Sequence, residues 1–145
     1  MNYAQLTNRI LEIAIKQDGI NYAGYGNIYS FNSETIKDYP VFWLYTPNGL
    51  SQNDNTLTAH YYLVFMDRTT NRMDDSNTEN LLIENAGQKI LSNIIKKIER
   101  LPDVEIMNES YEYSIFEGVE QKSDNVHGLF VALDVNIPMT DCVVE

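Results

Sequence analysis

Apolar residues near the N-terminus recur at helical spacing: Leu6, Ile10, Ile13 and Ala14 follow i, i+4, i+7, i+8. Asn2 is placed to cap such a helix and Gly19 to end it. Leu11 and Ile15 widen the apolar surface onto a neighbouring stripe, so the helix is expected to lie on a sheet and to touch a neighbouring subunit. Between residues 20 and 39 tyrosines alternate with Gly24, Gly26 and Asn27, and 28–31 is the one stretch that reads as a short strand. Val41-Phe42-Trp43-Leu44-Tyr45 is β-branched and aromatic and reads as a strand, with Pro40 acceptable at its start. Pro47-Asn48-Gly49 signals a turn, and the wholly polar run 51–55 predicts a long exposed hairpin loop. Residues 56–68 then alternate as a long strand. One face carries Thr58, His60, Tyr62, Val64 and Met66, the other Ala59, Tyr61, Leu63 and Phe65. Both faces are apolar toward its C-terminal end, which predicts cover on both sides.

A polar turn over 69–77 offers Asp74, Asp75 and Ser76 as caps for a long helix over 78–100. Its stripe is Ile83, Ala86, Gly87, Ile90, Ile94 and Leu101, flanked by Leu82, Leu91, Ile95 and Ile98. Glu79 and Glu84 near its start, with Lys96, Lys97 and Arg100 near its end, suit the helix dipole. Pro102 stops it. Residues 104–107 and 111–119 read as one strand interrupted at 108–110 by a bulge. In the last strand Leu129, Val131, Leu133, Val135 and Ile137 alternate with Phe130, Ala132, Asp134 and Asn136 until Pro138. The order is helix, two or three strands, long helix, two strands. The fold class is α+β: a largely antiparallel sheet of about five strands, packed on one face by an N-terminal helix and one long helix. No repeat interrupts this, so 1–145 is read as a single domain.

Composition removes several function classes. With 10 basic and 21 acidic residues the formal charge is −11, which opposes autonomous binding to nucleic acid or to an anionic membrane. No apolar run approaches a membrane span, and the first residues lack the basic start and apolar stretch of a signal peptide. The single cysteine, Cys142, has no partner for an internal disulfide, and no Cys/His cluster suits zinc. Neither Asn53-Asp54-Asn55 nor Asp74-Asp75 has the spacing of a calcium loop, and Gly24 and Gly26 lack the rest of a phosphate loop. No metal and no cofactor are therefore expected.

Nucleophilic chemistry finds no motif either. There is no G-x-S-x-G elbow, His60 lies mid-strand, His127 lies beside a turn, and Cys142 falls in the tail. These residues are read as structural. Glu109, Glu112, Glu117 and Glu120 cluster about the penultimate strand, and Asp67, Asp74 and Asp75 flank the turn before the long helix. Solvated edges and caps account for them more simply than a carboxylate pair. Of the 10 tyrosines, Tyr22, Tyr25, Tyr29, Tyr61, Tyr62, Tyr111 and Tyr113 are expected on strands or their rims. A protein interface is favoured over a platform for carbohydrate or bases.

Two stretches carry a resemblance to a known family. Leu63-Val64-Phe65-Met66-Asp67-Arg68 leads into the helical run 80–98. Asp124-Asn125-Val126-His127-Gly128 leads into the alternating strand that ends at Pro138. With the N-terminal helix and the hairpin, they resemble the tail-terminator and neck-ring proteins of tailed phages. The resemblance implies a structural subunit without catalytic residues, assembled in rings of six or twelve copies and adjoining portal, connector or tail proteins. DNA would pass through the lumen without specific binding, no membrane would be involved, and the location would be the neck or tail of the virion, or the host cytoplasm before assembly. A head-to-tail ring closes through two unlike surfaces on each copy. Loop residues Asn48, Gly49, Asp54, Asn55, Glu120, Lys122, Asp124 and Asn125 are taken as the ring or partner contacts.

Two other readings stay open. Acidic type III secretion chaperones share the order helix, three strands, helix, two strands. They usually end in a further helix, for which residues 137–145 are too short and too β-prone. A ligand-binding or enzymatic α+β domain would need a concave pocket with a perturbed carboxyl.

Overall fold

The structure is a computed structural model that describes residues 1–27, 38–69, 76–117 and 126–139. The first helix, α1 (Tyr3–Ile15), opens with a reciprocal capping box. The Asn2 side chain accepts from the Gln5 backbone N–H, and the Gln5 side chain accepts from the Asn2 N–H, each at 2.8 Å. The helix buries Leu6, Ile10 and Ala14 and ends at Lys16, short of Gly19, which takes a φ of 93°. The second helix, α2 (Ser76–Glu99), carries Glu79 in its first turn and Lys96 and Lys97 in its last. Ser76 is its first residue and not the cap that precedes it; Asp74 and Asp75 lie outside the described residues. Ile83, Leu91, Ile94, Ile95 and Ile98 are buried, and Gly87 lies against the Phe65 ring. Leu82 and Ala86, expected on or beside the core stripe, are exposed.

The sheet is mixed but mostly antiparallel, and it has seven strands: β1 (Tyr22–Tyr25), β2 (Val41–Tyr45), β3 (Leu50–Asn53), β4 (Thr56–Arg68), β5 (Glu105–Ile106), β6 (Tyr113–Glu117) and β7 (Val126–Pro138). The expected count is about five, and among the described residues the element order is helix, four strands, helix, three strands. The difference has a simple cause. β4 and β7 pair along all of their length, from Thr56↔Pro138 to Arg68↔Val126. Two short strands then share each of their outer edges: β2 and β3 lie end to end along β4, and β6 and β5 along β7. Parallel β1 extends the sheet beyond β2. Seven strands thus fill five lateral places.

One expectation here needs correction. The polar run 51–55 is not a long loop: residues 50–53 pair with 59–56, and only Asp54 and Asn55 form the turn. β3 has no buried residue, so no apolar pattern marks it; its ladder with β4 makes it a strand. Tyr22–Tyr25 forms a strand that the pattern did not mark, and the short strand expected at 28–31 falls outside the described residues. The interruption near residue 108 is observed. Met107 N–H bonds to Asp134 O at 2.9 Å, and the Asn108 side chain donates to Ala132 O (3.0 Å) and accepts from Asp134 N–H (2.8 Å). One amide thus bridges the gap between β5 and β6.

The core lies between the helices and one sheet face. Leu6, Ile10, Leu91, Ile94 and Ile98 meet Phe42, Leu44, Tyr61, Leu63, Phe65, Leu129, Val131 and Leu133. A smaller cluster of Val41, Trp43, Val64, Met66 and Val126 occupies the opposite face, near the C-terminal end of β4. Cover on both sides of that end was predicted and is observed.

Candidate functional site

The period of two in β4 and β7 turns Thr58, His60 and Tyr62, with Phe130, Ala132, Asp134 and Asn136, away from the helices. Register sets the rungs. Thr58 opposes Asn136, His60 opposes Asp134, and Tyr62 opposes Ala132. Thr58 Oγ1 donates to Asn136 Oδ1 at 3.1 Å. His60 Nδ1 lies 2.8 Å from Asp134 Oδ1, and His60 Nε2 lies 2.7 Å from Ser51 Oγ on β3. Ser51 is exposed, while the His60 and Asp134 side chains keep 27% and 44% of their surface in water. A carboxylate on Nδ1 holds the imidazole with its proton there and leaves Nε2 to accept from the serine hydroxyl. The arrangement can raise the nucleophilicity of Ser51.

Further along the same face the polar rungs give way to aromatic ones. Tyr62 stacks on Phe130 with centroids 5.4 Å apart and meets Tyr45 edge-on at 5.4 Å. Burial raises the Tyr45 phenol above its ordinary range, with the neighbouring Tyr62 adding to it. Beyond these rings lies the dry cluster around Trp43, whose indole N–H donates to Gly26 O at 3.0 Å and whose ring covers Gly24. A side chain at residue 24 would displace that ring.

The predicted contact residues divide. Asn48 and Gly49 form the turn into β3, where Gly49 takes a φ of 72° and bonds back to Thr46 O. Asp54 and Asn55 form the β3–β4 turn and are exposed; Asn55 O accepts from Met139 N–H at 2.8 Å. Glu120, Lys122, Asp124 and Asn125 lie outside the described residues. Their flanks, Glu117 and Val126, stand at the Arg68 end of β4, opposite the Asp54–Asn55 turn. At roughly 3.3 Å per residue, about 40 Å of strand separates the two ends. Of the eight, the four described residues flank β3, Asn48 and Gly49 before it and Asp54 and Asn55 after it.

The tyrosines do not form one platform. Tyr61 is buried, its hydroxyl bonded to Thr7 at 2.8 Å, and burial drives its ionisation far above the ordinary phenol range. Tyr3 and Tyr25 share a hydroxyl cluster with Thr46. Tyr111 donates to Glu99, and Tyr113 faces Gln88 and Ser92 of α2. Tyr29 and Cys142 lie outside the described residues. His127 is 4% exposed and bonds Glu84 Oε2 at 2.6 Å, a structural role. Among the described residues no trio of His, Cys, Asp and Glu is arranged to hold a metal, and no helix is long and apolar enough to cross a membrane.

Sequence reasoning missed the Ser51–His60–Asp134 group. His60 and Asp134 each stood on the correct strand face, but their pairing depends on register. The polar run 51–55 by itself reads as a loop, which hides Ser51. Reading Asp54-Asn55 as a two-residue turn would have set Ser51 on the same face as His60. A comparison with protein-family models returns no match, and neither does a comparison with curated proteins.

Proposed function

We propose that the chain is a structural subunit of a tailed-phage virion, forming a ring in the neck or tail about the DNA channel, as a tail terminator or head–tail connector does. The observation that carries this reading is the open half of the outer sheet face, from the Tyr62–Phe130 stack to the Thr58–Asn136 rung, flanked by the Asp54–Asn55 hairpin. It is aromatic at one end and polar at the other, and protein interfaces are enriched in Tyr and Phe beside polar rims. A second, unlike surface lies on α2, where Leu81 and Leu82 are 65% and 64% exposed. Two unlike surfaces on one copy are what a head-to-tail ring requires. The charge of −11 would let DNA pass an acidic lumen without adhering.

Electron microscopy of the purified protein, alone and with connector or tail-tube components, tests the reading. Rings with a central channel, or a decorated tube end, are expected. A dimer that keeps an unfolded polypeptide soluble would overturn it in favour of a chaperone.

A further inference from the structure

We propose that Ser51 is a nucleophilic serine that attacks activated acyl donors, with His60 as its base and Asp134 as the group that orients the base. This goes beyond the ring reading and concerns the unassembled chain, since the His60–Asp134 rung lies within the face that a ring would cover.

Three strands assemble the group. β4 and β7 bring His60 opposite Asp134, and β3 brings Ser51 beside His60. Both links are short and consecutive: Ser51 Oγ to His60 Nε2 at 2.7 Å, and His60 Nδ1 to Asp134 Oδ1 at 2.8 Å. That sequence of atoms, hydroxyl to one imidazole nitrogen and carboxylate to the other, is the functional order of a serine nucleophile, its base and its orienter. Asp134 is itself fixed, because its N–H donates to the Asn108 side chain. The group stands on rigid ladder, which suits a preorganised site.

The neighbouring main chain supplies a second ingredient. His60 N–H donates to Gly49 O, so residues 49 and 60 form a hydrogen-bonded pair. Alternation along an antiparallel ladder then makes Ser51 and Thr58 the next such pair. The N–H groups of Leu50 and Gln52, on either side of Ser51, are therefore directed away from β4 toward the outer edge of β3. All four residues of β3 are exposed. Backbone N–H groups beside a nucleophile are the usual donors to a developing oxyanion.

The reaction balances within the site. Ser51 Oγ forms a bond to the carbonyl carbon of an aryl ester, and its proton moves to His60 Nε2. The tetrahedral centre then expels the aryloxide, which takes that proton. The products are the Ser51 ester and the phenol. Water, deprotonated by the same imidazole, releases the acid and restores Ser51. Ser51 is exposed, so small activated esters of any acyl group are the substrate class, and turnover is slow.

The test uses the whole chain with p-nitrophenyl acetate and, separately, an alkyl fluorophosphonate, read by peptide mass spectrometry. Ser51 is expected to carry the label at least about tenfold ahead of any other hydroxyl. His60→Gln is expected to slow it about 10²-fold, the usual worth of a general base. Asp134→Asn should slow it too, while Ser51→Cys should still be acylated and Ser51→Ala should not. Circular dichroism checks that each variant folds. Ser51 reacting no faster than other serines, or with the same rate in His60→Gln, would overturn the proposal and leave the three residues as a cross-strand ladder. Neither result bears on whether the chain forms rings.

Discussion

On the face of β4 and β7 turned away from the helices, Val64, Met66 and Val126 are buried, while Thr58, His60, Asp134 and Asn136 on the same face keep contact with water. The backbone ladder is continuous through both halves. What differs is the cover. One half packs beneath Trp43 and several tyrosines, and its buried residues are apolar. The other half is open, and its side chains hydrogen-bond to one another across the strands. Side-chain chemistry along a strand therefore follows what lies above each rung and not the strand itself.

The largest expected effect tests the closed half. A Cβ on Gly128 would run into the carbonyl oxygen of Phe65, backbone against backbone, where nothing can yield. Gly128→Ala is expected to cost about 3 kcal/mol or more, seen as loss of the cooperative urea transition. Next comes a pair of exchanges that swaps the rules of the two halves. Val64→Thr places a hydroxyl in a dry cluster and should cost about 1–3 kcal/mol by denaturant titration. Thr58→Val, in the open half, should change stability by about 0.5 kcal/mol or less. Equal costs for the two would break the comparison. The smallest effect is one of pH. Burial, with Glu79 adding to it, raises the Asp67 carboxyl above its ordinary range, although the Arg68 N–H opposes the shift. The folded protein then holds this proton to a higher pH than the unfolded chain, so the Asp67 contribution falls as pH rises through the carboxyl range. Asp67→Asn should flatten the stability profile on the side above the ordinary carboxyl pKa of about 4.

Where burial writes itself into the chain, the elements could be read. Val41–Tyr45 and Thr56–Arg68 match the expected strands at both ends, and the alternation of 129–137 places Leu129, Val131, Leu133, Val135 and Ile137 in the core. β3 could not be read in this way: Ser51, Gln52 and Asn53 bury nothing and are extended only because β4 pairs with them. β1 is likewise a strand by virtue of β2, its Gly24 serving to seat Trp43. Ala86 was expected inward because it lies on the apolar stripe of α2, yet the helix turns Leu91, Ile95 and Ile98 to the sheet and leaves Ala86 outside. The Ser51–His60–Asp134 group was hidden for a further reason. It joins three strands, and only register between them brings its atoms within reach.

The amide of Asn108 has a practical consequence. It takes the place of a main-chain rung beside Ala132 and Asp134, so the sheet edge closes without the residues that follow it. Glu109 and Ser110 are left exposed between two anchored points. Foreign sequence spliced between them would emerge from the protein without unravelling the seam on either side, which makes this position a natural display port for an epitope or a fluorescent tag.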